Sequence, residues 1–176
     1  MTITGEKLTD WIESVSSLAD RFMQSFEALH GYEPDENGLV EADLRLGGDH
    51  QALGGVGVPS DLVMFYSRVE EVSLPDLENG IFIHPAQAVV DGLSGEQPTR
   101  LVGSVEDSIV VFGSDGGGGL FAMGSDGLTI YYLSGGSFVG AVYEADSGEV
   151  RISASSLWEF LEYVRDELQS AVAGGA

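Results

Sequence analysis

Apolar residues recur at steps of three and four from Leu8 to Leu29, which predicts one helix of about six turns with a continuous apolar stripe. Acidic residues occupy its other positions. We expect this stripe to pack on a sheet of the same domain, since the run is short for the heptad repeats of a coiled coil or a partner helix. The stripe comprises Leu8, Trp11, Ile12, Val15, Leu18, Phe22, Met23, Phe26 and Leu29.

A second amphipathic helix is predicted to begin after Ser156. Ser156 and Glu159 have the spacing of a capping box, in which the hydroxyl and the carboxylate each accept a hydrogen bond from a free backbone N–H. Residues 173–176 are expected to fray beyond this helix. Its apolar stripe comprises Leu157, Leu161, Val164 and Leu168.

The region after the first helix carries turn signals and two short elements. Asn37-Gly38 is typical of a two-residue hairpin turn, and the alternation over 39–46 predicts a strand. We interpret the glycines at 47–48 and 54–57 as flexible loop. A short helix is predicted over 59–66, because proline at its start favours the first helical turn.

Beyond this region, short apolar runs separated by Gly, Ser and Asp predict β-strands joined by tight turns. The runs are 81–84, 101–102, 109–112, 120–123, 128–132, 138–139 and 141–143. Their spacing fits an antiparallel meander, because consecutive strands usually neighbour each other. Two Gly-Ser-Asp-Gly segments, at 113–116 and 124–127, are interpreted as the two ends of one hairpin.

These elements predict an α+β fold. We expect one domain over residues 1–172, with a twisted, mainly antiparallel sheet of about five to six strands packed against N- and C-terminal helices.

Charge restricts what such a domain can bind. Seven Lys and Arg against 29 Asp and Glu leave a net charge of −22. Because phosphate neutralisation needs a basic stripe, we expect no nucleic-acid partner, and an anionic membrane surface is disfavoured. No apolar stretch approaches the ~20 residues of a membrane span, and no secretory signal is recognisable. We therefore expect a cytoplasmic protein.

Motifs for catalysis or metal binding lack the residues they need. The chain has no cysteine, which excludes disulfides and thiolate sites. A phosphate-binding loop needs a lysine with its glycines, and none accompanies the glycines at 116–119, so we interpret them as a turn or bulge. Residues 33–44 partly match a calcium loop, but Leu44 stands where a bidentate carboxylate is required. His84 is interpreted as a half-buried, hydrogen-bonded residue. We expect no cofactor and no metal.

The acidity is the remaining functional signal. Charge runs often mark a solvated face that aids solubility. The sharper hypothesis is a surface that meets a basic protein such as a nuclease. We expect the contacts in loops that the sheet holds rigidly. The candidate partner-binding residues are Glu70, Glu71, Asp76, Glu78, Glu106, Asp107 and Asp115.

Four segments, taken in order, resemble the SUKH superfamily, the Smi/Knr-like group of bacterial toxin-immunity proteins. They are a Val-Pro-Ser-Asp-Leu-Val-Met-Phe-Tyr helix entry at 58–66, Asn-Gly-Ile-Phe-Ile at 79–83, a Phe-Gly-Ser-Asp-Gly-Gly-Gly hairpin within 109–118, and Ala-Ser-Ser-Leu-Trp-Glu-Phe-Leu at 154–161. The resemblance covers about residues 58–170.

The resemblance implies an α+β scaffold that binds a toxin and has no catalytic residues. We therefore expect an immunity protein that inhibits a cognate polymorphic toxin, with its oligomeric state open. Two alternatives remain: a regulatory or scaffold adaptor that binds a host protein, and a hydrolase that uses two carboxylates with separated pKa values.

Overall fold

Two long amphipathic helices, α1 (Gly5–His30) and α5 (Leu157–Ala173), pack against each other and against the sheet. The computed structural model describes residues 2–45 and 50–174. The Oγ of Ser156 caps α5 by accepting the N–H of Glu159 at 3.1 Å. The second half of the predicted capping box is displaced by one residue, since the Glu159 carboxylate accepts the N–H of Ser155 at 2.6 Å.

The stripe of α1 stays within the domain, but α5 as well as the sheet covers it. The indole N–H of Trp11 donates to the carbonyl oxygen of Leu161 at 2.7 Å, and both groups are buried. The Trp11 and Phe65 rings also form a T-shaped pair, with their centres 6.1 Å apart. Leu29 is an exception to the prediction, because its side chain is 47% exposed at the end of the helix.

The described residues also form three short helices, α2 (His50–Gly55), α3 (Ser60–Tyr66) and α4 (Ala86–Asp91), the last followed by a π-helical turn over Gly92–Glu96. The prediction of loop at 54–57 is wrong for its first two residues, which belong to α2. The predicted loop at 47–48 lies outside the described residues. None of the helices in the described part of the chain is long and apolar enough to cross a membrane.

The α+β class with a mostly antiparallel sheet is confirmed, but the described residues form ten strands rather than about five to six. The strands are β1 (Gly38–Glu41), β2 (Val69–Leu74), β3 (Ile81–Ile83), β4 (Arg100–Gly103), β5 (Asp107–Asp115), β6 (Leu120–Gly124), β7 (Ile130–Leu133), β8 (Ser137–Val139), β9 (Val142–Ala145) and β10 (Val150–Ala154). The sequence patterns missed β2, where Glu70 and Glu71 interrupt the apolar alternation, and β10, whose alternation of apolar and polar residues was not recognised.

Seven strands form one antiparallel sheet in the order β1-β2-β3-β5-β6-β7-β10. The meander expectation holds for β4 to β7 and for β8 with β9, which pair as antiparallel neighbours. It is wrong between these two sets, since β7 pairs with β10 rather than with β8, and β9 lies parallel to β4. The first residues of β5 also pair with β4, which lies parallel to β9.

Each face of the sheet has its own apolar core. The helix-bearing face is filled by aromatic residues such as Phe112, Phe121 and Phe160, whose rings lie about 5 Å apart (5.5 Å for the first and third, 4.8 Å for the last two). The opposite face contains Ile109 and Tyr131 under β4 and β9. Helix α5 ends at Ala173, and residues 175–176 of the predicted frayed tail lie outside the described residues.

Candidate functional site

The connections β2–β3 and β5–β6 meet at one end of the sheet. Leu74 at the end of β2 pairs with Ile81, and Ile81 pairs with Asp115 at the end of β5. The backbone N–H of Gly116 donates to the carbonyl oxygen of Asn79 at 2.7 Å, which ties the two connections together. The interpretation of 116–119 as a turn is confirmed, because these residues join β5 to β6.

Asp115 organises this turn from within. One carboxylate oxygen accepts the N–H groups of Gly117 at 2.9 Å and Gly119 at 2.7 Å, and the other accepts the hydroxyl of Tyr132 at 2.6 Å. Burial opposes ionisation of Asp115, but these hydrogen bonds outweigh it and hold its pKa below the ordinary value. The hydrogen bond to Asp115, aided by burial, raises the pKa of Tyr132. The carboxylate predicted as a partner contact is thus largely engaged inside the protein.

Beside this turn lies a cavity of about 480 Å³, which we call the tyrosine groove. Tyr132 and Tyr163 line it from the sheet and from α5. The guanidinium of Arg151 lies over the Tyr132 ring, 4.5 Å from its centre. The lining residues are Glu78, Asn79, Gly80, Ile81, Asp115, Phe121, Tyr132, Arg151, Ile152, Ser153 and Tyr163.

Glu78 has a backbone conformation that side chains rarely adopt. Its φ is +53°, the one positive value among the described non-glycine residues. Such conformations cost about 1–3 kcal/mol and persist where surrounding structure imposes them. The Glu78 carboxylate accepts the hydroxyl of Tyr163 at 3.2 Å. Burial, followed by the charge and hydrogen bond of Glu78, raises the pKa of Tyr163 to about 12.

A second cavity of about 470 Å³, the helix-end groove, lies on the other side of Glu78. The last turns of α1 and α5 both contribute to it, and helix C-termini carry partial negative charge. Hydrogen bonding with Glu78, burial and the Glu78 charge raise the pKa of Glu167. The lining residues are Phe22, Leu29, His30, Asp76, Leu77, Glu78, Glu167, Ser170, Ala171 and Gly174.

Asp76 links the β2–β3 connection to the segment before β1. Its carboxylate accepts the N–H of Asp35 and the side-chain N–H of Asn37, both at 2.7 Å. Asn37 is buried, and its side-chain Oδ1 accepts the backbone N–H of Asp76 at 3.2 Å. The hairpin prediction for Asn37-Gly38 is therefore wrong, since this asparagine anchors a distant loop and Gly38 begins a strand.

Strand β1 is also shorter than the alternation over 39–46 predicts. It ends at Glu41, and Asp43 then forms a turn by accepting the N–H of Arg45 at 2.9 Å. Residue 46 lies outside the described residues.

The other candidate contacts lie elsewhere. Glu70 and Glu71 are within β2, not in a loop as predicted. Asp107 is the first residue of β5, directly after Glu106, and its carboxylate accepts the hydroxyls of Ser125 and, at 3.0 Å, Tyr131. It is eight residues before Asp115 in the same strand, about 26 Å away at ~3.3 Å per residue.

The seven candidate acids therefore form no single surface. Asp76, Glu78 and Asp115 share one end of the sheet, and Glu106 and Asp107 occupy the other.

Sequence reasoning missed Tyr132, Arg151, Tyr163 and Glu167 as members of this site. The one available signal was Tyr163, an aromatic residue among the acids of the α5 pattern. Arg151 was hidden because β10 itself was not recognised, and its contact with Tyr132 depends on the pairing of β7 with β10.

No metal site emerges from the described residues, which hold no group of three His, Asp or Glu that could bind an ion. The calcium-loop pattern at 33–44 does not curl around a centre, since residues 38–41 are extended as β1. The interpretation of His84 is confirmed: it is half-buried, and its Nε2 lies 2.8 Å from the Oγ of Ser114. Burial lowers the pKa of His84.

Comparison of the sequence with family models and with curated proteins, and of the fold with solved structures, gave no significant match.

Proposed function

We propose that this chain is a non-catalytic immunity protein that acts in the cytoplasm and inhibits a toxin by binding its basic surface. The observation that carries the proposal is that acidic side chains around the two grooves make no ion pair with a described residue. Both ion pairs that join described residues are made by Arg165, which contacts Glu162 and Asp166 on α5. The carboxylates of Asp76, Glu78 and Glu167 therefore meet no cation within 4 Å in the described structure.

A nuclease is the class of toxin that fits this surface best. It must bind phosphate and so presents clustered Lys and Arg. An acidic domain with a net charge of −22 attracts such a protein over long distances and covers its substrate site. The ends of α1 and α5 add to the same negative potential. The resemblance of four sequence segments to the SUKH superfamily supports the same function.

The positions of the acids whose pKa values are shifted favour a binding role over a carboxylate-dependent hydrolase. A hydrolase of that kind needs two acids with separated pKa values in one cavity. Asp115, whose pKa is lowered, lines the tyrosine groove, whereas Glu167, whose pKa is raised, lines the helix-end groove. Asp115 is also committed to three hydrogen bonds that hold a turn.

The test is binding and inhibition of basic nuclease toxin domains by the full chain. We expect inhibition that weakens as salt is raised. The double variant Glu78→Lys/Glu167→Lys should bind at least about tenfold more weakly, because two favourable charge contacts become repulsive. The matched control is Glu13→Lys/Asp146→Lys, which makes the same change in charge with exposed acids that line neither groove.

Equal losses in both variants would contradict the placement of the surface and leave only net charge as the cause. Full inhibition by Glu78→Lys/Glu167→Lys would overturn the proposal. Tight binding of a basic host protein, with the toxins unaffected, would favour the adaptor instead.

A further inference from the structure

Three strands of the described sheet pair on one side only: β1, β8 and β10. Free edges invite another strand, and proteins protect them with bulges, charges or short length. β1 and β10 each pair over three regular positions before a bulge, at 38–40 and 150–152, and β8 has three residues. Of these three edges, β10 is the one whose residues line the tyrosine groove.

The free edge of β10 presents a defined set of backbone groups. The carbonyl oxygen of Glu149 accepts the N–H of Ser134 at 2.9 Å, so Glu149 directs its backbone groups towards the β7 side. Because these directions alternate along an antiparallel strand, Arg151 also faces β7, whereas Val150 and Ile152 direct their N–H and C=O groups outward.

This edge is continuous with the tyrosine groove, which Arg151, Ile152 and Ser153 line. The Ile152 side chain is 69% exposed, and Ile152 pairs with Tyr131, a residue of the core on the face away from the helices. Side chains of an added strand would alternate between the groove and the side of Ile152.

We propose that the β10 edge accepts an extended segment of the partner protein in which basic and apolar residues alternate. The inference rests on the proposed function for the identity of the partner, the basic toxin. Basic residues of the segment meet the carboxylate of Glu78 and the ring of Tyr163, in the way that Arg151 already contacts Tyr132. Apolar residues cover Ile152. A second copy of this chain is a poor occupant, because each copy carries −22 charges.

A short synthetic peptide of alternating arginine and valine is a direct probe. Added to the full chain, it should slow amide hydrogen exchange at Val150 and Ile152, whose N–H groups face outward. Exchange at Arg151, already bonded to β7, should change little. A peptide of the same composition with its arginines and valines grouped is the control for charge alone. Equal protection by both peptides, or protection confined to β1 or β8, would overturn the proposal.

The matched variants are Ile152→Pro and Ile152→Thr. Proline removes one outward N–H without removing a hydrogen bond to β7, so we expect peptide binding to weaken about tenfold. Threonine keeps the N–H and should bind within about twofold of the parent chain. Should the proline variant unfold, N-methylation of alternate peptide nitrogens tests the same bonds with the unaltered protein. Undiminished binding of the methylated peptide would refute strand addition.

The same variants separate the two proposals when the toxin domain is the ligand. If Glu78→Lys/Glu167→Lys weakens inhibition and Ile152→Pro leaves it unchanged, strand addition is wrong and the acidic surface stands. If Ile152→Pro weakens inhibition and the charge reversals do not, backbone pairing at the β10 edge stands, and both the acidic-surface mechanism and the basic contact of the segment with Glu78 are wrong.

Discussion

The two Gly-Ser-Asp-Gly segments share one tetrapeptide but build different structures at the two ends of the β5–β6 hairpin. In both, the aspartate accepts backbone N–H groups of the turn that follows. Asp126 is otherwise local, with its second oxygen 2.6 Å from the hydroxyl of Thr129. Asp115 instead reaches Tyr132 on β7. The tetrapeptide thus encodes a turn. Contacts with a distant strand make one copy, at 113–116, part of the lining of the tyrosine groove.

The serines of the two segments differ in the same way. Ser114 lies beside His84 and so connects β5 to the end of β3. Ser125 donates to Asp107, which belongs to the same hairpin. The 113–116 segment therefore connects β3, β5 and β7, and substitutions there should destabilise all three strands.

The largest effect should come from a single methyl group in the first turn. A Cβ added at Gly119 would overlap the ring and hydroxyl of Tyr132. We expect Gly119→Ala to destabilise the protein by about 2–3 kcal/mol, since the ring has to move from its hydrogen bond with Asp115. Gly148→Ala is the control, because nothing lies within 4 Å of a Cβ there. Denaturant unfolding measures both, and similar costs would contradict the tight fit.

The next effect should separate the two aspartates. Asp115→Ala leaves a half-buried tyrosine hydroxyl and two backbone N–H groups without their acceptor, which should cost about 2 kcal/mol. Asp126→Ala removes an exposed local turn contact and should cost about 0.5–1 kcal/mol. Adding Tyr132→Phe to each variant gives a double-mutant cycle by thermal unfolding. We expect an interaction free energy between Tyr132 and Asp115 but none between Tyr132 and Asp126. Equal interaction energies would contradict the different roles of the two aspartates.

Acid should weaken both turns. Hydrogen bonds from Thr129 and Leu128 lower the pKa of Asp126, as hydrogen bonds overcome burial at Asp115. A lowered folded-state pKa means that the stabilisation is complete above the unfolded-state value of 3.8 and is lost as pH falls through the folded value. As the pH is lowered from neutral, the melting temperature should decrease in the interval between the unfolded-state and folded-state pKa values of the two aspartates. The fall should be shallower in Asp115→Asn, and an unchanged profile would show that this carboxylate is not a source of acid sensitivity.

The smallest effect concerns the carboxylates of Glu78 and Glu167, which lie near the turn at 116–119. The pKa of Glu167 is raised, so its contribution to stability is complete below the unfolded-state value of 4.5 and is lost as pH rises through the folded value. At neutral pH, Glu167→Gln should therefore raise the melting temperature by about 1 °C. The gain should vanish in acid. Gln169→Glu, an exposed change on the same helix, is the opposite-sign control, and a loss of stability in Glu167→Gln would contradict the pairing with Glu78.

Local patterns sufficed for elements whose signals are local. The long stripes predicted α1 and α5, proline before an apolar run predicted α3, and the glycines at 116–119 predicted a turn. The same reasoning failed at Asn37, where a typical turn dipeptide is used as a buried anchor for Asp76.

The candidate site was less accessible to sequence reasoning because long-range pairing builds it. Glu70 and Glu71 look like loop acids, yet they lie in a strand between β1 and β3. Glu78 was recognised, but nothing local indicates that Tyr163, 85 positions later, hydrogen-bonds to it. An acidic composition of 29 residues makes every acid a candidate, so composition alone cannot select the few that share a groove.

The hydrogen bond from Trp11 to Leu161 spans 150 positions of the chain. During synthesis, the bulky side of α1 emerges from the ribosome long before its partner helix exists. The nascent polypeptide has to keep this surface from sticking to other chains, through chaperones or transient burial, until Leu161 is made. A new copy can therefore complete its core only once translation has passed Leu161, and translation speed sets the delay.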